Sequence, residues 1–145
     1  MTEQNPVTLI ELIAERRMGV LATLRRDGRA QLSTVLYGYD PGAELIRISA
    51  TDGRAKVANL RRDPRVSFHV GSADGWAYAV AEGRAELTPV AERPDDPTVE
   101  ELVALYRALQ GEHPDWDDYR RAMVAERRVV LRLHVERVYG LPPHG

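Results

Sequence analysis

The sequence predicts a mainly β fold, an antiparallel barrel with helices at its edges. Segments in which apolar and polar residues alternate cover much of the chain, and tight-turn residues join the first of them. Helical patterns fall between some strands, but at a spacing too irregular for a doubly wound parallel sheet. We expect about six strands and four helices, in one domain formed by residues 1–145.

The first third of the chain predicts one helix and three strands. Residues 6–17, PVTLIELIAERR, carry apolar side chains on one helical face and end in arginines, which suit a helix C-terminus. Residues 18–40 have the alternation of strands, and Asp27-Gly28 lies where a tight hairpin turn needs a positive φ, so two antiparallel strands are predicted. A turn at 40–42 leads into a third strand at 45–50, LIRISA.

The next segment, SATDGRAKVANLRRDPRVSF (49–68), predicts a strand end, a short helix and the start of a fourth strand. Thr51 or Asp52 is the expected N-cap, because their side-chain oxygens accept hydrogen bonds from first-turn amides. Asp63-Pro64 ends the helix, since the residue before a proline is disfavoured in helical conformation. The fourth strand is predicted at 65–71.

The second half of the chain predicts two further strands and two helices. Residues 76–88 alternate large side chains with alanine or glycine, so one face of this strand permits close packing. Thr98 and Glu101 form a capping-box pattern that opens the third helix. The fourth helix begins after its expected cap, Asp115, and a long last strand covers 128–140.

Composition excludes several classes of function. The formal net charge is −2, so no general attraction to nucleic acid or to an anionic membrane is expected. The chain has no cysteine, which excludes disulfides, thiolate catalysis and cysteine-ligated metals. Residues 1–20 lack a signal-peptide pattern, and no apolar run approaches the ~20 residues of a membrane span, so we expect a cytoplasmic protein.

Recognised catalytic and metal-binding motifs are also missing. The histidines stand at 69, 113, 134 and 144 without metal-ligand spacing, so no metal site is predicted, and His69 and His134 are interpreted as structural strand residues. Nucleophile-elbow, dinucleotide-binding and P-loop motifs are absent. Hydrolase and nucleoside-triphosphatase functions therefore have no support.

The start of the second helix carries the strongest functional signal. The helix dipole and the unpaired first-turn amides favour anions there, yet the sequence places two cations, Arg54 and Lys56. They are either solvated cations or a phosphate site, to which Ser49 could add a hydroxyl. Lys56 is the only lysine among twenty basic residues, and this favours the phosphate site. Arg61 and Arg62 lie at the helix C-terminus and are interpreted as structural.

Two strands carry further candidate residues. Gln31 and Ser33 share one strand face, which is either an ordinary solvated face or a surface that hydrogen-bonds a heteroaromatic ring. Trp76 and Tyr78 share a face of another strand, and aromatic residues there are more often core or dimer interface than a ligand wall. Tyr37 is a candidate proton donor, but no side chain is assigned as catalytic.

Four segments together resemble one protein family. They are GVLATLRRDGRAQLSTVLY (19–37), RAKVANLRRDPRVS (54–67), DGWAYAVAEGRAELT (74–88) and the terminal HPDWDDYRRAMVAERRVV…VYGLPP. They resemble the split β-barrel proteins of the flavin/deazaflavin oxidoreductase superfamily, often labelled pyridoxamine 5′-phosphate oxidase-like or coenzyme F420-dependent reductases. The similarity runs from about residue 7 to residue 143, and RAKxxNLRRDPR is its most specific part.

The resemblance implies a six-stranded antiparallel split β-barrel of the FMN-binding type, which forms a homodimer with two cofactor sites between the subunits. The implied cofactor is coenzyme F420, with FMN as the alternative, and the implied partners are a second copy and a small-molecule substrate. The residues that the resemblance places at the cofactor are Arg54, Lys56, Ser49 and Asn59 at the phosphate, Gln31 and Ser33 near the ring, and Trp76 and Tyr78 from the partner subunit.

The implied activity is transfer of a hydride from the reduced deazaflavin to an unsaturated small organic substrate. Two alternatives stay open: an FMN-dependent oxidoreductase of the same fold, and a protein that carries the cofactor without catalysis. The chain ends RLHVERVYGLPPHG and is shorter than true pyridoxamine phosphate oxidases, which carry an Arg-x-His-type substrate motif near the C-terminus. Oxidation of pyridoxamine phosphate is therefore not expected.

Overall fold

The computed structural model describes residues 6–143. Four helices and seven strands lie within them, and the mainly β, antiparallel architecture is confirmed. In chain order they are α1 (Pro6–Glu15), β1 (Met18–Leu24), β2 (Ala30–Leu36), β3 (Gly38–Asp40), β4 (Leu45–Thr51), α2 (Ala55–Arg62), β5 (Arg65–Gly71), β6 (Tyr78–Leu87), α3 (Pro97–Gln110), α4 (Trp116–Ala125) and β7 (Arg128–Leu141).

The strands form one sheet in the order β2-β1-β5-β6-β7-β4-β3. Strands β2 and β3 are the two edges of this sheet, although Tyr37 is the only residue between them in the chain. A single residue spans at most about 3.6 Å, so the two edges have to meet and the sheet has to curl into a barrel. The sequence predicts one continuous strand here, and its interruption at Tyr37 explains why seven strands form rather than six.

Tyr37 lies at the centre of this closure. Its side chain is fully buried, packs edge-on against Phe68 with ring centroids 4.8 Å apart, and donates a hydrogen bond from its hydroxyl to the Ile13 carbonyl at 2.5 Å. Ile13 belongs to α1, whose apolar side chains Leu9 and Leu12 are also buried in the main core. Helix α1 therefore covers the barrel core with its apolar face and is held by this hydrogen bond at the point where the sheet edges meet.

The small residues of β6 have the close-packing role that the alternation predicts. Ala79 and Ala81 are fully buried in the core that α1 covers. Gly83 lies at a bulge in the pairing of β6 with β7, where an added Cβ would stand 1.9 Å from the His134 carbonyl oxygen. Only glycine permits that approach of the two backbones.

The predicted capping box of α3 is wrong. Asp96 caps this helix, because its carboxylate accepts hydrogen bonds from the Val99 amide at 2.9 Å and from the Glu92 amide at 2.8 Å. The Thr98 hydroxyl instead donates to the Pro89 carbonyl at 2.8 Å. The predicted cap of α4 is confirmed, since Asp115 accepts from the Asp118 amide at 3.1 Å.

Glu101 connects α3 to the barrel. Its carboxylate accepts from Arg47 Nε at 2.9 Å and from Arg132 Nε at 2.9 Å, so it joins α3 to β4 and to β7. The side chain is only 16% exposed. Hydrogen bonds from Arg132, with that from Arg47, hold the pKa of Glu101 below its ordinary value of 4.5.

The part of the chain that the structure describes contains no helix long and apolar enough to cross a membrane.

Replacing Tyr37 with Phe removes one buried hydrogen bond and leaves the ring in place. We expect the free energy of unfolding to fall by about 1–2 kcal/mol, measured by urea denaturation. Tyr139→Phe, at a half-exposed tyrosine of β7, is the control and should change it by less than about 0.5 kcal/mol. Equal values for the two variants would contradict the role given to the Tyr37 hydroxyl.

The Glu101 bridge predicts a dependence of stability on pH. Because the pKa of Glu101 is lowered by folding, its stabilisation is complete above pH 4.5 and is lost as the pH falls through the folded-state pKa. Glu101→Gln should therefore cost about 1.5–3 kcal/mol at pH 7 and clearly less in strong acid. The control is Glu112→Gln, whose side chain is 69% exposed, so that solvent screens its ion pair and the substitution should cost clearly less than Glu101→Gln. A cost for Glu101→Gln that does not change with pH would refute this assignment.

Candidate functional site

The junction between β4 and α2 leaves a helix start without a side-chain cap. The N-cap residue is Arg54, and within residues 6–143 no side-chain cap hydrogen bond closes this helix start. The prediction that Thr51 or Asp52 caps this helix is wrong, because Arg61 and Arg127 bind the Asp52 carboxylate at 2.8 Å and 3.2 Å. The first amides of α2 are therefore left without a side-chain acceptor, the arrangement that binds anions in many proteins.

Three cations gather at this helix start. Partial burial, together with the charges of Arg54 and Arg128, lowers the pKa of Lys56 below its ordinary value of 10.5. Among residues 6–143, no carboxylate forms an ion pair with Arg54 or Lys56. The cluster of Arg54, Lys56 and Arg128, which we call the cationic cluster, therefore has an excess of positive charge that an anionic ligand would balance.

Arg128 is a candidate site residue that the sequence analysis missed. It begins β7 and pairs with Thr51 at the end of β4, which brings it beside Ser49. Its Nη1 lies 3.5 Å from the Ser49 hydroxyl oxygen, and its Nε and Nη2 donate to Glu126 at 3.0 Å and 2.8 Å. Only the strand register reveals this proximity, because Ser49 and Arg128 are 79 residues apart in the chain.

Asn59 and Gln31 join α2 to the first hairpin. The buried Asn59 amide donates to the Thr23 hydroxyl at 3.1 Å and to Gln31 Oε1 at 3.2 Å. Ser33 is the next residue on the half-buried face of β2 that carries Gln31. The structure therefore brings Gln31 and Asn59 into contact and places Ser33 on the same strand face as Gln31, while the cationic cluster lies at the N-terminal end of α2, about one turn before Asn59.

An open groove of about 670 Å³ runs between the first hairpin and α2. Arg61 and Arg62 line it and have the structural contacts expected of them, since Arg61 pairs with Asp52 and Arg62 donates to the Leu24 carbonyl at 2.5 Å. Gln31 and Asn59 also lie on its wall. Two of the sequence-predicted residues are therefore accessible from this groove.

A second cavity, of about 400 Å³, adjoins the cationic cluster. Ser49 and Arg128 form part of its wall, and the side chains of α3 and α4 form much of the rest. Arg128 therefore belongs both to the cationic cluster and to the wall of a pocket that is mainly apolar. This arrangement has the usual features of a small-molecule site, an apolar cavity with a few charged or polar groups at one end.

Trp76 and Tyr78 do not reach the cationic cluster of their own chain. Tyr78 pairs with Leu141, whereas Arg128 is at the other end of β7, roughly 40 Å away along the strand at about 3.3 Å per residue. Trp76 is 77% exposed, and Tyr78 stacks on His69 with ring centroids 5.4 Å apart. These two aromatic residues could join the other site residues only from a second subunit.

The other candidates are placed away from the site. The Tyr37 hydroxyl is buried in the core and donates to the Ile13 carbonyl, so it is not available as a proton donor to a ligand. His134 lies 3.0 Å from Glu86 and is structural, as expected. Within residues 6–143, no group of three or more histidine, aspartate or glutamate side chains is positioned to hold a metal ion.

The curled antiparallel barrel and the cationic helix start at its edge together define a class of protein. Comparison with known proteins identifies the family. The chain belongs to the pyridoxamine 5′-phosphate oxidase family, whose model matches residues 8–141. The suspected superfamily and the split-barrel fold are thereby confirmed.

Individual proteins are similar to this chain in sequence or in fold. An F420H(2)-dependent biliverdin reductase from Mycobacterium tuberculosis is 28% identical over 131 residues, which cover 90% of this chain and 84% of that protein. The crystal structure of a conserved hypothetical protein from Mycobacterium tuberculosis superposes with a TM-score of 0.73 at 24% identity, covering 99% of this chain and 91% of the other. A structure described as an F420 reductase has a TM-score of 0.67 at 24% identity, with 96% and 98% covered.

Proposed function

We propose that this protein is a coenzyme F420-dependent oxidoreductase that transfers a hydride from the reduced deazaflavin to an unsaturated small organic substrate. The observation that carries the proposal is the cationic cluster at the uncapped start of α2, where Arg54 and Lys56 form no ion pair with any described residue. The F420H(2)-dependent relative supports the choice of coenzyme. The family supports a flavin-like cofactor in general.

The cationic cluster fits the phosphate group of such a coenzyme. Arg54 offers a planar pair of donors and Lys56 a compact charge, and the first amides of α2 add backbone donors. The Ser49 hydroxyl and Arg128 stand on the adjacent ends of β4 and β7. Each charge-assisted hydrogen bond to a phosphate is stronger than a neutral one, and the partial burial of Lys56 reduces competition from water.

When bound, the deazaflavin ring supplies the hydride chemistry. The task of the protein is to fix the position of the phosphate, orient the ring against β2 through Gln31 and Ser33, and leave room for a substrate beside it. The Gln31 side-chain oxygen accepts a hydrogen bond from the Asn59 amide, so the orientation of the Gln31 side chain is fixed before a ligand binds. No side chain is assigned as an acid.

A homodimer is part of the proposal. Large apolar side chains are exposed on the described surface, and they are Met18, Leu32, Leu36, Trp76 and Leu141. Met18 pairs with Leu36 across β1 and β2, so both contribute to the outward face of that hairpin. A second copy would cover this apolar surface. It would also offer a route by which Trp76 and Tyr78 reach the other subunit's cofactor site.

Titrations with F420 and with FMN, side by side on the same preparation, test the choice of cofactor. We expect tighter binding of F420, and oxidation of reduced F420 with an acceptor from a panel that includes biliverdin. Tighter binding of FMN would favour the FMN-dependent oxidoreductase. Binding of reduced F420 without turnover by any acceptor would favour the non-catalytic carrier.

Lys56→Ala tests the phosphate site. It should weaken F420 binding by about 1.5–3 kcal/mol, the contribution of a charge-assisted hydrogen bond. Little folding stability should be lost, because the Lys56 side chain has no acidic partner among the residues that the structure describes. Affinity is followed by fluorescence quenching. Arg121→Ala, on the exposed face of α4, is the control and should bind normally. An unchanged affinity of Lys56→Ala for F420 would show that Lys56 is a surface cation with no role in the phosphate site.

The dimer is tested by charging its proposed surface. We expect Leu32→Glu combined with Leu36→Glu to give a monomer in analytical ultracentrifugation and to lose F420 affinity at least tenfold, because carboxylates would be buried without partners. The control is Ala108→Glu on the exposed face of α3. If the double variant stays dimeric, or if the unmodified protein sediments as a monomer, this surface is not the interface.

A further inference from the structure

The cavity beside the cationic cluster has an apolar body. It lies between α3, α4 and the edge formed by β2, and its volume is about 400 Å³. The apolar and aromatic side chains that line it include Leu102, Leu105, Tyr106, Leu109, Tyr119 and Met123. A cavity of this size is within the range of small-molecule sites, roughly 300–1,000 Å³.

The aromatic wall of the cavity offers ring surface and no free hydroxyl at Tyr119. The Tyr119 hydroxyl donates its hydrogen bond to the Leu102 carbonyl at 3.2 Å, so it does not offer this proton to a ligand. Its ring packs against Tyr106 and Trp116, with centroids 5.0 Å and 5.6 Å away. Burial raises the pKa of Tyr119 to about 12, so the phenol remains neutral at physiological pH. This side of the cavity therefore favours apolar groups.

The charged end of the cavity is Arg128. Its Nε and Nη2 bind Glu126, whereas Nη1 lies toward Ser49, which also lines the cavity. Lys56 and Arg54 are close enough to Arg128 for their charges to influence one another, and Glu126 is the only carboxylate that pairs with any of the three within the described chain. The local balance is therefore positive even after Glu126 is counted.

We propose that this cavity binds an apolar carboxylate, with the hydrocarbon or ring part among α3 and α4 and the carboxylate on Arg128 and Ser49. The Nε and Nη2 atoms of Arg128 donate to Glu126, whereas Nη1 does not contact Glu126. Nη1 is therefore the atom that can donate to a second carboxylate, that of the ligand. The proposal of a ligand site in this cavity depends only on the geometry of the cavity and not on the proposed function. The further statement that the bound carboxylate is the substrate reduced beside the coenzyme rests on the proposed function, and it leaves the coenzyme phosphate to Arg54, Lys56 and the first amides of α2.

Isothermal titration calorimetry with decanoate and with decanol tests the site, using the full chain without coenzyme. Both probes have the same apolar chain, so their difference isolates the carboxylate. We expect decanoate to bind roughly tenfold or more tightly than decanol, as a charge-assisted contact implies. Equal affinity for the two probes, or no binding of decanoate, would overturn the inference.

Three variants locate the binding. Arg128→Gln should remove the preference for decanoate, while the control Arg121→Gln, at an exposed arginine of α4 outside the cavity lining, should keep it. Leu109→Trp, on the half-buried cavity wall, should weaken both probes by filling the space. A preference for decanoate that persists in Arg128→Gln would contradict the assigned carboxylate position.

The decanoate and F420 titrations together distinguish failure of this inference from failure of the proposed function. If decanoate binds as described but F420 does not bind, the carboxylate site is confirmed. The proposed coenzyme is then wrong, and so is the proposed substrate role of the cavity. If F420 binds and Lys56→Ala weakens it, but decanoate shows no dependence on Arg128, the proposed function stands and the inference about the cavity fails. If both the coenzyme site and the carboxylate site are confirmed, apolar carboxylates with a conjugated double bond are the acceptors to test for turnover.

Discussion

The architecture depends on the closure of the barrel at Tyr37. One residue separates the two edge strands of the sheet, so the sheet cannot be flat, and the buried Tyr37 hydroxyl fixes α1 at the same point through Ile13. Closure brings the inner face of β2 near the end of β4, where α2 begins. The candidate site is built in that region, from residues that stand on separate elements and are held there by the curvature of the sheet.

The helix start illustrates how folding leaves a charge imbalance at a defined place. Asp52, the nearest carboxylate in sequence, is held by Arg61 and Arg127 and is therefore withdrawn from the first turn of α2. Partial burial and neighbouring charge lower the pKa of Lys56, so the cluster carries an electrostatic cost in the free protein. An anionic ligand would relieve that cost, which is a physical reason for such a cluster to be a binding site.

Local patterns in the sequence predicted much of the fold, and the failures have physical causes. The hairpin at Asp27-Gly28 was predictable because Gly28 has φ +87°, a conformation that glycine adopts without strain. The break at Tyr37 was not, because alternation continues through it and only burial in the closed barrel distinguishes it. The cap of α3 was misassigned to Thr98, since two plausible capping residues lie two positions apart and the structure uses Asp96.

The site was predictable only where it is local. Arg54, Lys56 and the start of α2 lie within one short segment, so the unusual charges were visible in the sequence. The approach of Arg128 to Ser49 depends on the register of β4 with β7, and the separation of Trp76 and Tyr78 from the cluster depends on the length of β7. Periodicity assigns residues to faces, whereas pairing across the sheet decides which faces and ends meet.

The most direct measurement for the central claim is the crystal structure of the protein with F420 bound. The account predicts the coenzyme phosphate at the first turn of α2, within hydrogen-bond distance of Arg54 and Lys56 and next to Ser49. A phosphate bound elsewhere, with both side chains directed into bulk solvent in every subunit, would contradict it.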